Sequence, residues 1–326
     1  MLFLNRNSYK YLIFFFLGVA AVFSVLMIWD YLSGNYKKGS QASDSFISTN
    51  SSQENLKLSL EKLAPLDRGH FEGWIVVDGK SKSFGKFQID QKGKIRNFEG
   101  TEVADGKFQV GQDLSKASKV AVTIEPDGDT NDLATQSVIL EGTFAAGTAQ
   151  LSFLGADLSG ASGKYMIETP TDTKKWGTAG VWFTNSDASA ASLSLPKASA
   201  GFKYEAWVSH QGIWLSCGRF SDPNRPDEAA KFSGKAAGPP YPGEDFLINA
   251  PKNISFNFPP DLADGASKVI VSLEPDFLDQ DPTGDKPFQL QFLTGLIPEN
   301  AKPLTPYDLI LDSTTTSPRG IAKIEN

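Results

Sequence analysis

Carboxylates are the residues of this sequence best placed to do chemistry. Glu72 and Glu205 occupy matching places in two similar stretches, and so do Glu125 and Glu274. A pair of carboxylates flanking a glycosidic bond can hydrolyse it. Recurrence at equivalent points of a repeated pattern points instead to a shared fold, in which each Glu caps a strand end or makes a salt bridge. Asp127, Asp129 and Asp132 lie in DGDTND, and Asp276, Asp279, Asp281 and Asp285 follow the second copy of the same motif. Calcium takes several oxygens from one tight loop, so Ca2+ is the ion these loops would hold. Their spacing is not that of an EF-hand, and an acidic, solvated hairpin loop is the competing reading.

Other chemistry has less to work with. His70 precedes a strand and His210 falls at a hairpin tip, so both are expected at the surface, with Cys217 as a core thiol. The spacing His210-x6-Cys217 crosses a hairpin and fits no zinc pattern. There is no G-x-S-x-G, P-loop or G-x-G-x-x-G. Trp74 and Trp207 hold repeated positions and are expected in the core. Trp176 and Trp214 sit among turn residues, where an exposed ring could bind sugar or protein. No catalytic residue and no cofactor beyond calcium is expected, and the chain reads as a non-enzyme.

The elements that must position these residues come in two copies. Phe71-Glu72-Gly73-Trp74 recurs as Tyr204-Glu205-Ala206-Trp207, 133 residues on, and Ser83 to Phe87 recurs as Ser216 to Phe220 at the same offset. ASKVAVTIEPD (117–127) recurs as ASKVIVSLEPD (266–276), and LSLEK (58–62) as LSLPK (193–197). The order is the same in both, with a Pro/Gly-rich insertion, GPPYPGEDFLINAP, in the second. A period of about 140 residues is too long for a solenoid or propeller blade and reads as tandem domains.

Within each copy, period-2 alternation marks strands: Val120, Val122 and Ile124 on one face of the first, Val269, Val271 and Leu273 in the second. Asp78-Gly79 and Gln211-Gly212 are hairpin turns. The expected class is all-β: two tandem antiparallel β-sandwiches, over 57–158 and 159–326, the boundary falling in GADLSGASG.

Upstream, Tyr11 to Trp29 carries no charge over 19 residues. At helical rise this spans roughly 28 Å, close to the hydrocarbon thickness of a bilayer. Arg6 and Lys10 precede it, and Trp29 and Tyr31 mark the exit, so the N-terminus is expected in the cytoplasm and the bulk outside. The run is longer than a signal-peptide core and no A-x-A site follows, which favours an uncleaved anchor. The layout is then a short cytoplasmic tail (1–10), a transmembrane signal anchor (11–31) and a flexible, Ser/Asn/Gln/Lys-rich linker (32–56). Net charge is −7 although the first 33 residues contribute +1, so nucleic acid is not an expected partner. One cysteine allows no intrachain disulfide, which suits a prokaryotic envelope protein that relies on core packing.

These motifs, in this order, resemble the extracytoplasmic domain of the anti-sigma-K factor family. In that family an aromatic-x-x-Trp strand leads through a short hairpin to a Gly-x-Phe strand, and a later strand reads V-x-V-x-x-EP. FEGWIVVDGKSKSFGKF with KVAVTIEPDGD fits, as does YEAWVSHQGIWLSCGRF with KVIVSLEPD, over most of 57–156 and 178–298. The resemblance implies a sensor half, duplicated, that binds another envelope or membrane protein. The ten residues before the apolar span are too few for the helical segment that grips a sigma factor in such regulators. The alternative is an adhesion or ligand-binding module, made calcium-dependent by the Asp-rich loops.

Overall fold

The computed structural model describes residues 54–174, 177–276, 286–312 and 317–325. The expected anchor, its tail and nearly all of the linker lie outside the described residues, as do Trp176, Asp279, Asp281 and Asp285. Among the described residues no helix is long and apolar enough to cross a membrane. What is described is β structure with antiparallel pairing throughout.

The first sheet has nine strands. In chain order they are β1 (Asn55–Glu61), β2 (His70–Val77), β3 (Lys80–Ile89), β4 (Ile95–Arg96), β5 (Lys107–Gln109), β6 (Ala117–Glu125), β7 (Val138–Ala145) and β8 (Thr148–Ser152), closed by the C-terminal strand. A smaller sheet follows from β9 (Ser162–Ile167), β10 (Gly180–Trp182) and β11 (Leu193–Ser194). The third combines β12 (Phe202–His210) and β13 (Ile213–Phe220) with later strands. Those are β15 (Lys268–Pro275), β16 (Gln291–Leu296) and β18 (Ile310–Leu311), while β14 (Gly243–Asp245) and β17 (Tyr307–Asp308) pair with strands of the second sheet and β19 (Arg319–Glu325) is the C-terminal strand of the first. The first sheet runs β4-β3-β2-β6-β7-β8-β19-β1-β5, the second β11-β9-β10-β14, and the third β13-β12-β15-β16-β18.

The sequence repeat is a structural repeat. The path β3-β2-β6-β7 reappears as β13-β12-β15-β16 in the same register. Trp74 faces Ala121 and Trp207 faces Ile270; His70 faces Glu125 and Lys203 faces Glu274. A β-bulge interrupts the hairpin just before the tryptophan in both copies, between Gly73 and Trp74 and between Glu205 and Trp207. The hairpin turns also agree. Asp78 and Gly79 have φ of 49° and 73°, Gln211 and Gly212 φ of 49° and 80°. Two successive left-handed residues match the twist of the flanking strands, which is why Gly fills the second place in each.

Alternation fails to describe the central strands. Val120, Val122 and Ile124 are buried, but so are Thr123 and Glu125 on the other face; in β15, Ile270, Ser272 and Glu274 are buried opposite Val269, Val271 and Leu273. Both faces are covered, so polar side chains there must find partners inside the protein.

The C-terminal segment, expected with the second copy, supplies a strand to the first sheet. β19 pairs with β1 from Asn55↔Glu325 to Glu61↔Arg319 and with β8 from Arg319↔Ser152 to Lys323↔Thr148. It occupies two edges that would otherwise expose unpaired backbone. One continuous apolar core runs from Leu56 through both copies to Ala322. The copies also touch directly, with Phe153 edge-on to Phe202 at 5.8 Å and the Ser137 hydroxyl donating to the Gly201 carbonyl at 2.9 Å.

Gly201 is where that junction is tightest. Its φ is +80°, and a Cβ there would lie 2.3 Å from the Gln136 carbonyl carbon, in backbone that cannot swing away. Gly201→Ala should therefore cost more than the roughly 1–2 kcal/mol of a left-handed L-residue alone. Gly111, with φ of +68° and open space around it, is the control that carries only the conformational part. Denaturant unfolding of the two variants side by side checks the difference; equal losses would mean the junction gives way easily.

Candidate functional site

The carboxylates picked out from the sequence lie in two matched buried networks. In the first copy the Trp74 indole Nε1 donates to Thr123 Oγ1 at 2.9 Å, and Thr123 in turn donates to Glu125 Oε1. Glu125 Oε1 also accepts the Thr135 amide at 3.0 Å, fixing the chain beyond the Asp-rich loop. In the second copy Trp207 Nε1 donates to Ser272 Oγ at 3.1 Å, Ser272 donates to Glu274 Oε1, and that oxygen accepts the Phe288 amide at 2.9 Å. Strand, hydroxyl, carboxylate and returning loop are linked in the same order twice.

A second matched network lies across the hairpin. Ser83 donates to Glu72 Oε1, and Ser216 donates to Glu205 Oε1 at 2.6 Å. The other oxygen meets a cation in each copy: Lys86 Nζ lies 3.7 Å from Glu72 Oε2, and Arg219 Nε donates to Glu205 Oε2 at 2.9 Å. The salt-bridge and strand-end readings of these four glutamates agree with this geometry.

The Asp-rich loop of the first copy does not gather its carboxylates. Asp127 Oδ1 accepts the Gly69 amide at 2.7 Å and Asp132 is exposed. Asp129 turns inward to Lys86, with Oδ2 at 3.1 Å and its carbonyl oxygen accepting from the same ammonium at 2.9 Å. In the second copy Asp276 pairs with Lys203 at 3.4 Å.

Both histidines depart from expectation. His70 and His210 are buried, because β2 and β12 are covered on both faces. His210 Nδ1 is bonded to Ser267 Oγ at 2.7 Å, and its ring stands edge-on to Phe256 at 4.5 Å. His70 packs edge-on to Phe98 at 5.0 Å, and its Nε2 has no hydrogen-bond partner among the described residues. Burial, and then the Lys86 charge, holds the His70 pKa below the ordinary histidine value. Burial raises Glu72 and lifts Glu125 to about 7. Burial pulls Lys86 down, but hydrogen bonding to Asp129 and the Glu72 charge outweigh it and leave the ammonium above its usual value.

A ring nitrogen of His70 and carboxylate oxygens of Glu72 and Asp129 lie within 4.8 Å of one another. Reading the loop as a self-contained calcium candidate missed this grouping. The signal was present: His70 and Glu72 are two apart on a strand and so share a face, and the EPD loop follows the strand paired to theirs.

Sequence reasoning also missed a cluster built by the insertion. Glu244 and Asp245 in β14 are buried. Asp245 accepts from Trp182 Nε1 at 2.6 Å and from the Thr171 amide at 2.7 Å; Glu244 accepts from Ser233 and from the Phe232 amide at 3.2 Å. Asp227 accepts the Gly243 amide at 3.0 Å. Burial raises Glu244 to about 7 and Asp227 to about 6, and pushes the buried Cys217 thiol well up, so that thiol is no nucleophile. The hint was an acidic pair running straight into Phe-Leu-Ile.

No family model, curated protein or solved structure matches the chain.

Proposed function

We propose that this chain is a membrane-tethered, extracytoplasmic binding protein. It is built as two tandem β-sandwich units, and it works by presenting a surface to another envelope protein and not by catalysis. The observation that carries the reading is the matched use of the four recurring glutamates. Each spends an oxygen on a serine or threonine hydroxyl, and Glu125 and Glu274 also anchor a loop amide. A general acid must reach a substrate atom, and these side chains are buried inside the sheet. The apolar run at 11–29 supplies the tether, and the resemblance to anti-sigma-K factors supplies the kind of work: sensing or relaying the state of the envelope through a partner.

The third sheet offers a surface suited to such a partner. β18 is its outer strand, with Ile310 opposite Thr294 of β16. Leu296 is two residues beyond Thr294 and so shares that face. Leu296 is 55% and Ile310 68% exposed. An apolar strand edge in water is where another chain adds on.

In-cell crosslinking of the full-length chain, followed by identification of the crosslinked proteins, tests the reading. Wild type should capture a defined envelope or membrane protein, and a Leu296→Lys, Ile310→Lys double variant should lose it with little change in melting temperature. Capture that survives the double variant places the interface elsewhere. Capture of surface glycan or adhesins only, and only with calcium, would replace the proposal with the adhesion reading.

A further inference from the structure

We propose that His70, Glu72 and Asp129 form a binding site for one divalent transition-metal ion of the zinc class, held between β2 and the loop after β6. The three ligand atoms lie within 4.8 Å of one another. The side chains are those such an ion selects: one neutral imidazole and two carboxylates. His70 and Glu72 are 3% and 2% exposed, and the Asp129 side chain is 3% exposed.

The buried valences point the same way. His70 Nε2 and Glu72 Oε2 have no hydrogen-bond partner among the described residues. A buried polar atom left without one is costly, and an ion is one of the few ways to satisfy both a nitrogen and an oxygen lone pair at once. Glu72 Oε2 faces the cluster, since it lies 3.7 Å from the same Lys86 ammonium that holds Asp129 at 3.1 Å.

The second copy is an internal control. Where the first has His70 opposite Glu125, the second has Lys203 opposite Glu274. Lys203 reaches Glu228 at 2.9 Å and Asp276 at 3.4 Å, and Arg219 takes Glu205 at 2.9 Å. Fixed cations thus neutralise the second copy. The first exchanges one of them for an imidazole, a side chain that can ligate an ion where an ammonium cannot. Among the described residues, only the first copy groups three such ligands.

Zinc bonds of about 2.0–2.2 Å set tetrahedral ligands about 3.3 Å apart. Any ligand pair standing wider than that must close on binding, and Asp129 sits in a loop that can follow. Lys86 must yield its place; its side chain is 27% exposed, with water to swing into. The ion and the ammonium are competitors for the same two carboxylates.

Titration of the full-length chain with Zn2+, and with Co2+ read by visible absorption, tests the site. Wild type should bind one ion, with the Co2+ band of a nitrogen–oxygen site. His70→Lys copies the arrangement the second unit already tolerates, so it should fold and lose binding. Asp129→Asn, a loop change, should weaken binding by more than the roughly 10–100-fold typical of outer-shell substitutions. Lys86→Met should tighten it, and His210→Asn should change nothing. Unaltered stoichiometry and affinity in His70→Lys and Asp129→Asn, or no effect of Lys86→Met, would overturn the proposal.

Discussion

Trp207→Ala should cost about 3–5 kcal/mol of folding stability, the loss expected of a large buried aromatic. Trp74→Ala should cost a similar amount. The two side chains are 2% and 5% exposed, so removing either opens a cavity in the covered face that also holds Ser272 or Thr123. The cost has a second part. Each indole donates to the hydroxyl that in turn donates to a buried glutamate, so its loss strips one neighbour from Ser272 or Thr123. Trp207→Phe separates the parts. It keeps an aromatic ring but loses the N–H and the rest of the indole, so it should cost more than the roughly 0.5–1.5 kcal/mol of one hydrogen bond and less than Trp207→Ala. Urea unfolding of the three variants checks this. A near-neutral Trp207→Ala would mean that the bulge before Trp207 lets the ring turn out to solvent, and the matched networks would then hold nothing in place.

These tryptophans illustrate what the sequence makes legible. Their position is readable because the chain states it twice: four motifs in one order, with the hairpin turns at Asp78-Gly79 and Gln211-Gly212, determine local geometry within a few residues of themselves. Partners distant along the chain are not readable in that way. β19 fits between β1 and β8 because their edges need backbone partners, and nothing within Arg319–Glu325 names the strand it will join. Burial of His70 and His210 was hidden for a related reason. From His70 to Ile75 every residue of β2 is buried, so the alternation that tells an inner from an outer face carries no signal there. The site at His70, Glu72 and Asp129 needed both pieces of knowledge: that β2 pairs with β6, and that its second face is covered. Glu244 and Asp245 were obscured by composition, since a Pro/Gly-rich insertion reads as surface loop until its middle is seen to pair with β10.

That insertion makes stability depend on pH in a direction opposite to ordinary acid denaturation. Glu244 is 1% exposed, and burial lifts its folded pKa from the ordinary 4.5 to about 7. The folded chain therefore keeps a proton that the unfolded chain releases from about pH 4.5 upward. Unfolding sheds a proton between the two values, so the contribution is fully present below the lower one, falls as pH rises towards 7, and is level above it. A shift of about 2.5 units at ~1.4 kcal/mol each sets an upper bound of roughly 3–4 kcal/mol. Asp227, raised to about 6, interacts with Glu244; the two titrate as a pair, and their separate contributions do not simply add. Glu244→Gln should remove most of the slope. Its amide can donate to Ser233 Oγ while its oxygen accepts the Phe232 amide, the arrangement a protonated glutamate would make. Urea unfolding at pH 5 and pH 8 should thus show a marked loss of stability in wild type and a small one in Glu244→Gln. Equal losses in the two would place the titrating group elsewhere, with Glu125, also raised to about 7 by burial, the next to replace.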